Sequence, residues 1–193
     1  MTASVRLGSS CAGLSVYWST GRPAPAADPI VSAGVYKWFM TSTPLHWKLV
    51  VDAHDPHAQA DFWAAALGYE VEDHSALIGK LLDAGAIPPE ILVGHHDRRA
   101  WRDAAAVRHP DDPYDAESGT GLGRRLLFNR VPGSEKKTGK NRLHIDLHGP
   151  AGELDGEVER LRALGARVEN HVKEPSGEWM VMTDPEGGEF CVH

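Results

Sequence analysis

Cysteine is nearly absent. The 193-residue chain has two, Cys11 and Cys191, too few and too far apart in sequence for a disulfide framework, so a reducing cytoplasm fits. Long apolar runs are also missing, and no segment approaches the roughly 18 residues of a membrane-spanning helix. Residues 1–40 are interrupted throughout by Ser, Gly, Pro and Thr, which breaks up the continuous apolar stretch of a secretory signal. Positive charge is in deficit: 20 Lys and Arg stand against 27 Asp and Glu, a formal net charge of -7. That balance argues against nucleic-acid backbone or anionic lipid as a partner. The short basic pairs Arg98-Arg99, Arg124-Arg125 and Lys136-Lys137 read as solvated surface.

With 41% hydrophobic residues the chain can bury an ordinary core in one or two small domains. Its main regularity is a duplication. KLVVDAHDPHAQADFWAAALGYEVED at 48–73 and RLHIDLHGPAGELDGEVERLRALGARVEN at 142–170 both read as strand, proline-containing turn, helix, Leu-Gly stop and strand. Two copies are too few for a solenoid, which needs at least about three stacked units. A pseudo-symmetric single domain with one shared cleft is therefore expected.

Residues 1–40 read as a loose extension, with Met40 as an alternative start just ahead of the patterned sequence. Residues 41–193 form the domain, with module one at about 45–132 and module two at about 140–193. In module one, 46–52 alternates as a strand, and Asp55-Pro56 opens a helix with Asp as N-cap that Gly68 ends. An insert at 74–125 has no counterpart in module two. It reads as an amphipathic helix at 75–84, a second helix at 98–107, and a loop at 109–123 whose length marks it as functional or mobile. Module two has strands at 142–148, 167–172, 179–182 and 189–193, a helix at 152–164, and a hairpin turn at Asp184-Pro185-Glu186-Gly187-Gly188.

Strand parity divides these side chains by face. Trp47, Leu49 and Val51, then Leu143, Ile145 and Leu147, then Phe190 and Val192, turn toward the helices. The opposite faces carry His46, Lys48 and Asp52, then His144, Asp146 and His148, then Glu189, Cys191 and His193. Such residues suit a divalent metal such as Zn, Ni, Fe or Mn, although an antiparallel sheet can also leave a polar face to solvent. Core packing is the expected role of Trp47 and Trp63, while Trp101, on the insert helix, is expected as a lid contact.

The duplicated βαβββ pattern, ADFWAAALGYEVE at 60–72, KNRLHIDL at 140–147 and DPEGGEFCV at 184–192 resemble the vicinal oxygen chelate superfamily. That superfamily includes glyoxalase I, bleomycin-resistance proteins and extradiol dioxygenases, and the match is closest to its glyoxalase-like domain proteins. The resemblance implies an α+β fold in which two βαβββ modules form a pseudo-symmetric half-barrel with helices on the convex side. It implies a small-molecule ligand in the concave cleft and a divalent metal bound there. His144 matches the ligand position that opens module two, the last-strand carboxylate position falls on Cys191, and Glu189 lies two residues earlier on the same face. This makes His144, Cys191 and Glu189 the metal set, with Glu189 and His144 catalytic and His46, Lys48, Asn129, Asp146 and Trp101 ligand-binding. In module one the usual His position falls on Lys48, which has no lone pair to donate, or on Val50. The implied activities are a metal-dependent lyase, isomerase or dioxygenase, or sequestration without catalysis as in the bleomycin-resistance relatives. A homodimer is also implied.

Overall fold

In a computed structural model of the protein, residues 47–131, 139, 141–175 and 177–193 are described. The chain divides into Met1–Trp47 and Lys48–His193, and the elements below belong to the second unit. The expected extension at 1–40, Cys11 and His46 lie outside the described residues.

Module one runs β1 (Leu49–Ala53), α1 (Pro56–Leu67), β2 (Glu70–Val71), α2 (Ser75–Asp83), a 3-10 turn (Pro89–Ile91), β3 (Leu92–His95), β4 (Arg98–Trp101), β5 (Ala104–Arg108) and β6 (Arg125–Arg130). Module two runs β7 (Ile145–Leu147), α3 (Leu154–Ala163), β8 (Arg167–Glu174), β9 (Gly177–Thr183) and β10 (Glu189–Val192). The fold is α+β, and the duplication is preserved in the sheets. Their strand orders, β1-β6-β5-β2 and β7-β10-β9-β8, are the same order in each copy. Each first strand pairs parallel with its module's last, β1 with β6 and β7 with β10. Strands β3 and β4 form a separate hairpin, which together with α2 and the 3-10 turn interrupts the repeat in module one.

Local chemistry explains α1. The Asp55 side chain accepts from the amides of His57 and Ala58 at 3.1 Å each, Pro56 needs no partner at the first position, and Gly68 stops the helix with a φ of 67. The buried face of α1, with Ala60, Phe62, Trp63 and Ala66, meets Ala105 and Val107 of β5, Leu126 and Phe128 of β6, and Met182, Phe190 and Val192 of module two in one core cluster. Phe190 packs against Trp63 at 5.4 Å and Phe62 at 6.2 Å between ring centroids, so the two modules share this core.

The structure corrects the sequence reading in three places. Residues 98–107 form no helix: β4 and β5 occupy them, separated by Arg102 and Asp103. Ala104, Ala105 and Ala106 favour a helix intrinsically, but pairing with β2 and β6 beneath α1 overrides that preference, and small side chains suit the close approach. Trp47 does not pack in the core and is 84% exposed. Leu143, expected beside Ile145 and Leu147, is 77% exposed. Both precede the first residue of their strand, and alternation orients side chains only within the paired ladder. Leu49, Val51, Ile145 and Leu147, inside the ladders, do pack on the core.

The loop at 109–124 is ordered by its own polar contacts. Arg124 binds Asp112 through its backbone amide and guanidinium, and Tyr114 bridges to Gly121.

Candidate functional site

The register of β7 against β10 sets Asp146 opposite Cys191, with both side chains on the face away from the core cluster. His144 lies two residues before Asp146 on that face, with Nε2 3.2 Å from Asp146 Oδ1. The donor atoms of His144, Asp146 and Cys191 all lie within 4.8 Å of one another. The thiol is buried, while His144 and Asp146 are open to solvent. His193 closes the far side, its Nε2 3.9 Å from Asp146 Oδ2. Its ring lies between the stacked rings of His148 at 4.8 Å and Trp179 at 5.8 Å. Burial pushes the His193 imidazole below its ordinary range; Asp146 opposes this, while His148 and His144 act in the same direction. His193 Nε2 is buried and has no hydrogen-bond partner.

Next to this group a cavity of about 210 Å3 is lined by Leu49, Val50, Val51, Trp63 and Leu126 of module one, and by Leu143, His144, Ile145, Asp184 and Glu189 of module two. Both modules supply its walls. The Glu189 carboxylate accepts the Asn141 amide at 3.2 Å. Its floor is braced by the 184–188 turn, where Asp184 Oδ1 accepts the amides of Glu186 and Gly188 at 2.9 and 2.8 Å. A Cβ at position 188 would stand 2.6 Å from Asp184 Oδ2, so this corner needs glycine. A larger open trough of about 930 Å3 runs between α3 and β8, and among the described residues no cluster of metal-binding donors lies in it.

The structure brings His144, Asp146 and Cys191 together, and places Glu189 on the cavity wall beside them rather than within the donor group. Lys48 is exposed and precedes β1. Asn129 is paired in register with Asp52. Trp101 lines a different cavity, of about 190 Å3, with His74, Leu77 and Arg125. Each module's last strand carries a Phe opposite an aliphatic residue of its first, Phe128 with Val51 and Phe190 with Ile145. Aligning those pairs places Asp52 and Asn129 where module two has Asp146 and Cys191, and Val50 and Leu127 where it has His144 and Glu189. Module one thus offers apolar side chains at the positions of His144 and of the wall carboxylate Glu189, and polar ones, Asp52 and Asn129, at those of Asp146 and Cys191.

Two polar groups were not anticipated. Asp61, His95 and His96 form a second donor set, and Glu72, His74 and Arg125 form a buried ionic group. Adjacent histidines at 95 and 96 were the sequence signal for the first, but only the hairpin brings them to Asp61. Nothing local marks the second, since Glu72 and Arg125 are 53 residues apart.

Two βαβββ modules of identical strand order around one core, with a donor-bearing face beside a two-module cavity, define a protein of the vicinal oxygen chelate superfamily. Within it, the glyoxalase-like domain family model matches residues 48–193, and the chain belongs to that family. No curated protein matches the chain. Among solved structures it is similar to the hypothetical protein SA1046 from S. aureus, at 13% identity over 80% of this chain and 96% of that one, with a TM-score of 0.47. It is also similar to a glyoxalase/bleomycin resistance protein/dioxygenase family enzyme from Burkholderia phytofirmans PsJN, at 13% identity, 75% and 94% coverage and a TM-score of 0.46. A third is a mutant of the fosfomycin resistance protein FosX from Listeria monocytogenes complexed with Mn(II) and 1S,2S-dihydroxypropylphosphonic acid, at 12% identity, 79% and 90% coverage and a TM-score of 0.46.

Proposed function

We propose that this domain binds a small molecule in the two-module cavity, beside a divalent cation held by His144, Asp146 and Cys191, with Glu189 as the proton-transferring carboxylate. The observation that carries this reading is the convergence of an imidazole, a carboxylate and a thiol within 4.8 Å at the edge of the cavity that His144 and Glu189 line. Such a mixed donor set fits a borderline ion such as Zn, Ni or Fe better than Mn, because thiolate is a soft ligand. The lone His193 Nε2 beside it is a further donor for the ion or its solvent. Once bound, the ion would act as a Lewis acid on a ligand oxygen.

The remaining work falls to the chain's own residues. Leu49, Val51, Trp63, Leu126 and Ile145 give the cavity apolar walls, which strengthens every charge interaction within it. A volume of about 210 Å3 lies below the roughly 300–1,000 Å3 of drug-sized sites, so the ligand is a compact molecule. Glu189 is the wall carboxylate that takes and returns a proton. The reaction class is a lyase, isomerase or dioxygenase. A second reading, sequestration without catalysis, draws on the apolar Val50 and Leu127 where module two has His144 and Glu189.

Elemental analysis of the purified full-length chain tests the first reading. One equivalent of divalent metal is expected to disappear in His144→Ala and again in Cys191→Ala. Retention of that equivalent in both variants contradicts metal binding here. Tight binding of a small aromatic ligand that survives chelator treatment supports sequestration.

A further inference from the structure

The hairpin that module one carries and module two lacks assembles a second donor set, which shares no residue with the first. His95 pairs with Arg98 across β3 and β4, so His96 and Asp97 are the two-residue turn. Both have positive φ, 47 and 59, as a tight hairpin of matching twist requires. The turn folds both histidines onto α1. There His95 Nε2 lies 3.1 Å and His96 Nε2 2.8 Å from the same carboxylate oxygen, Oδ1 of Asp61. The three donor atoms lie within 4.8 Å of one another.

Behind His95 lies the His57 ring, 4.6 Å away between centroids and tilted by 39°. Its Nε2 is 3.0 Å from the Trp101 carbonyl, and because a carbonyl only accepts, that nitrogen carries the hydrogen. In the metal-free protein each outer imidazole donates its Nε2 hydrogen to Asp61. Moving that hydrogen to Nδ1, the other neutral tautomer, leaves two nitrogen lone pairs and a carboxylate facing one another.

We infer that Asp61, His95 and His96 form a second divalent metal site, of the Zn(II) type, that ties the module-one hairpin to α1. Imidazole with carboxylate selects Zn, Ni or Cu over Mg or Ca. Three protein ligands leave coordination positions for solvent. A cation that binds only the folded hairpin stabilises the fold by mass action.

The site is tested on the full-length chain, stripped with chelator and titrated with Co(II) and then Zn(II). Cobalt bound to a thiolate shows an intense near-ultraviolet charge-transfer band, whereas cobalt bound only to nitrogen and oxygen does not. The unsubstituted chain is expected to bind two equivalents, one with the band and one without. His95→Asn with His96→Asn should abolish the equivalent lacking the band, and with it part of the zinc-induced rise in the unfolding midpoint. Cys191→Ala should abolish only the other. The single variant His96→Asn, at an exposed turn, serves if the double variant is misfolded by circular dichroism. Unchanged stoichiometry and affinity in the histidine variants overturn the inference. A single equivalent lost only with Cys191→Ala or His144→Ala overturns it while leaving the proposed function standing. A single equivalent lost only in the histidine variants upholds it and removes the metal from the proposed function.

Discussion

Among single residues, Glu72 carries a carboxylate wholly removed from water. Its carboxylate is fully buried and accepts from Arg125 Nε and Nη2 at 2.6 and 2.7 Å and from the Gly121 amide at 2.8 Å. His74 Nε2 lies 3.3 Å away. Burial works to raise the Glu72 pKa, but the bonds from Arg125, His74 and Gly121 outweigh it and hold the group at about 2. Its stabilisation is therefore fully present above the ordinary 4.5 and is lost as pH falls toward 2. His74 behaves oppositely. Its bond to Glu72 raises its pKa against the effect of burial, with help from the Ser118 carbonyl. What it contributes is complete below the ordinary 6.5 and is lost as pH rises through the raised value. Both contributions are present together between about pH 4.5 and 6.5. Glu72→Gln should cost about 3–5 kcal/mol, because it leaves a buried guanidinium without its charge partner. Urea unfolding across pH measures this, and the acid limb between about pH 4.5 and 2 should flatten in the variant. An equally steep acid limb in Glu72→Gln would assign it to other carboxylates.

At the scale of elements, the 184–188 turn serves α1 as well as its own hairpin. The Glu186 carboxylate accepts the amides of His54 and Asp55 at 2.9 and 2.8 Å, while Asp55 accepts those of His57 and Ala58. With Pro56 between them, every amide at the N-terminal end of α1 has a carboxylate partner, which also complements the helix dipole. At the other end of α1, Arg160 of α3, held by Glu157, donates to the carbonyls of Ala65 and Ala66 at 2.9 Å each. Module two thus caps both ends of module one's helix. Glu186→Ala should lower stability by about 1 kcal/mol, read as a lower denaturation midpoint at unchanged slope. The Asp55-Pro56 cap and the Leu-Gly stop were legible because a helix end is written in adjacent residues. The Glu186 contact was not, since it joins residues 132 apart. The strands at 98–108 were misread for the same reason, since the alanines reveal their strand partners only after β2 and β6 are in place.

At the largest scale, the Lys48–His193 unit is held by one core cluster. Phe190, fully buried, lies against Phe62 and Trp63 of the other module, so residues of both modules meet in the same cluster. Phe190→Ala is expected to cost about 3–5 kcal/mol. Both modules should still unfold in a single transition, seen by calorimetry and by Trp63 fluorescence at the same midpoint. Two separated transitions would mean that each module has a core of its own.

From the sequence alone came the duplication, the ends of both long helices and the polar identity of the module-two face. All of these depend on periodicity and on neighbours a few residues apart. Tertiary structure decided which donors meet. His144 joins Asp146 and Cys191 because β10 pairs with β7 in one register, and Asp61 meets His95 and His96 because a hairpin folds back across 34 residues. It also decided that Trp47 and Leu143 stay outside the core, since alternation orients a side chain only once its strand is paired. Register and long-range pairing are properties of the assembled core, and no local pattern encodes them.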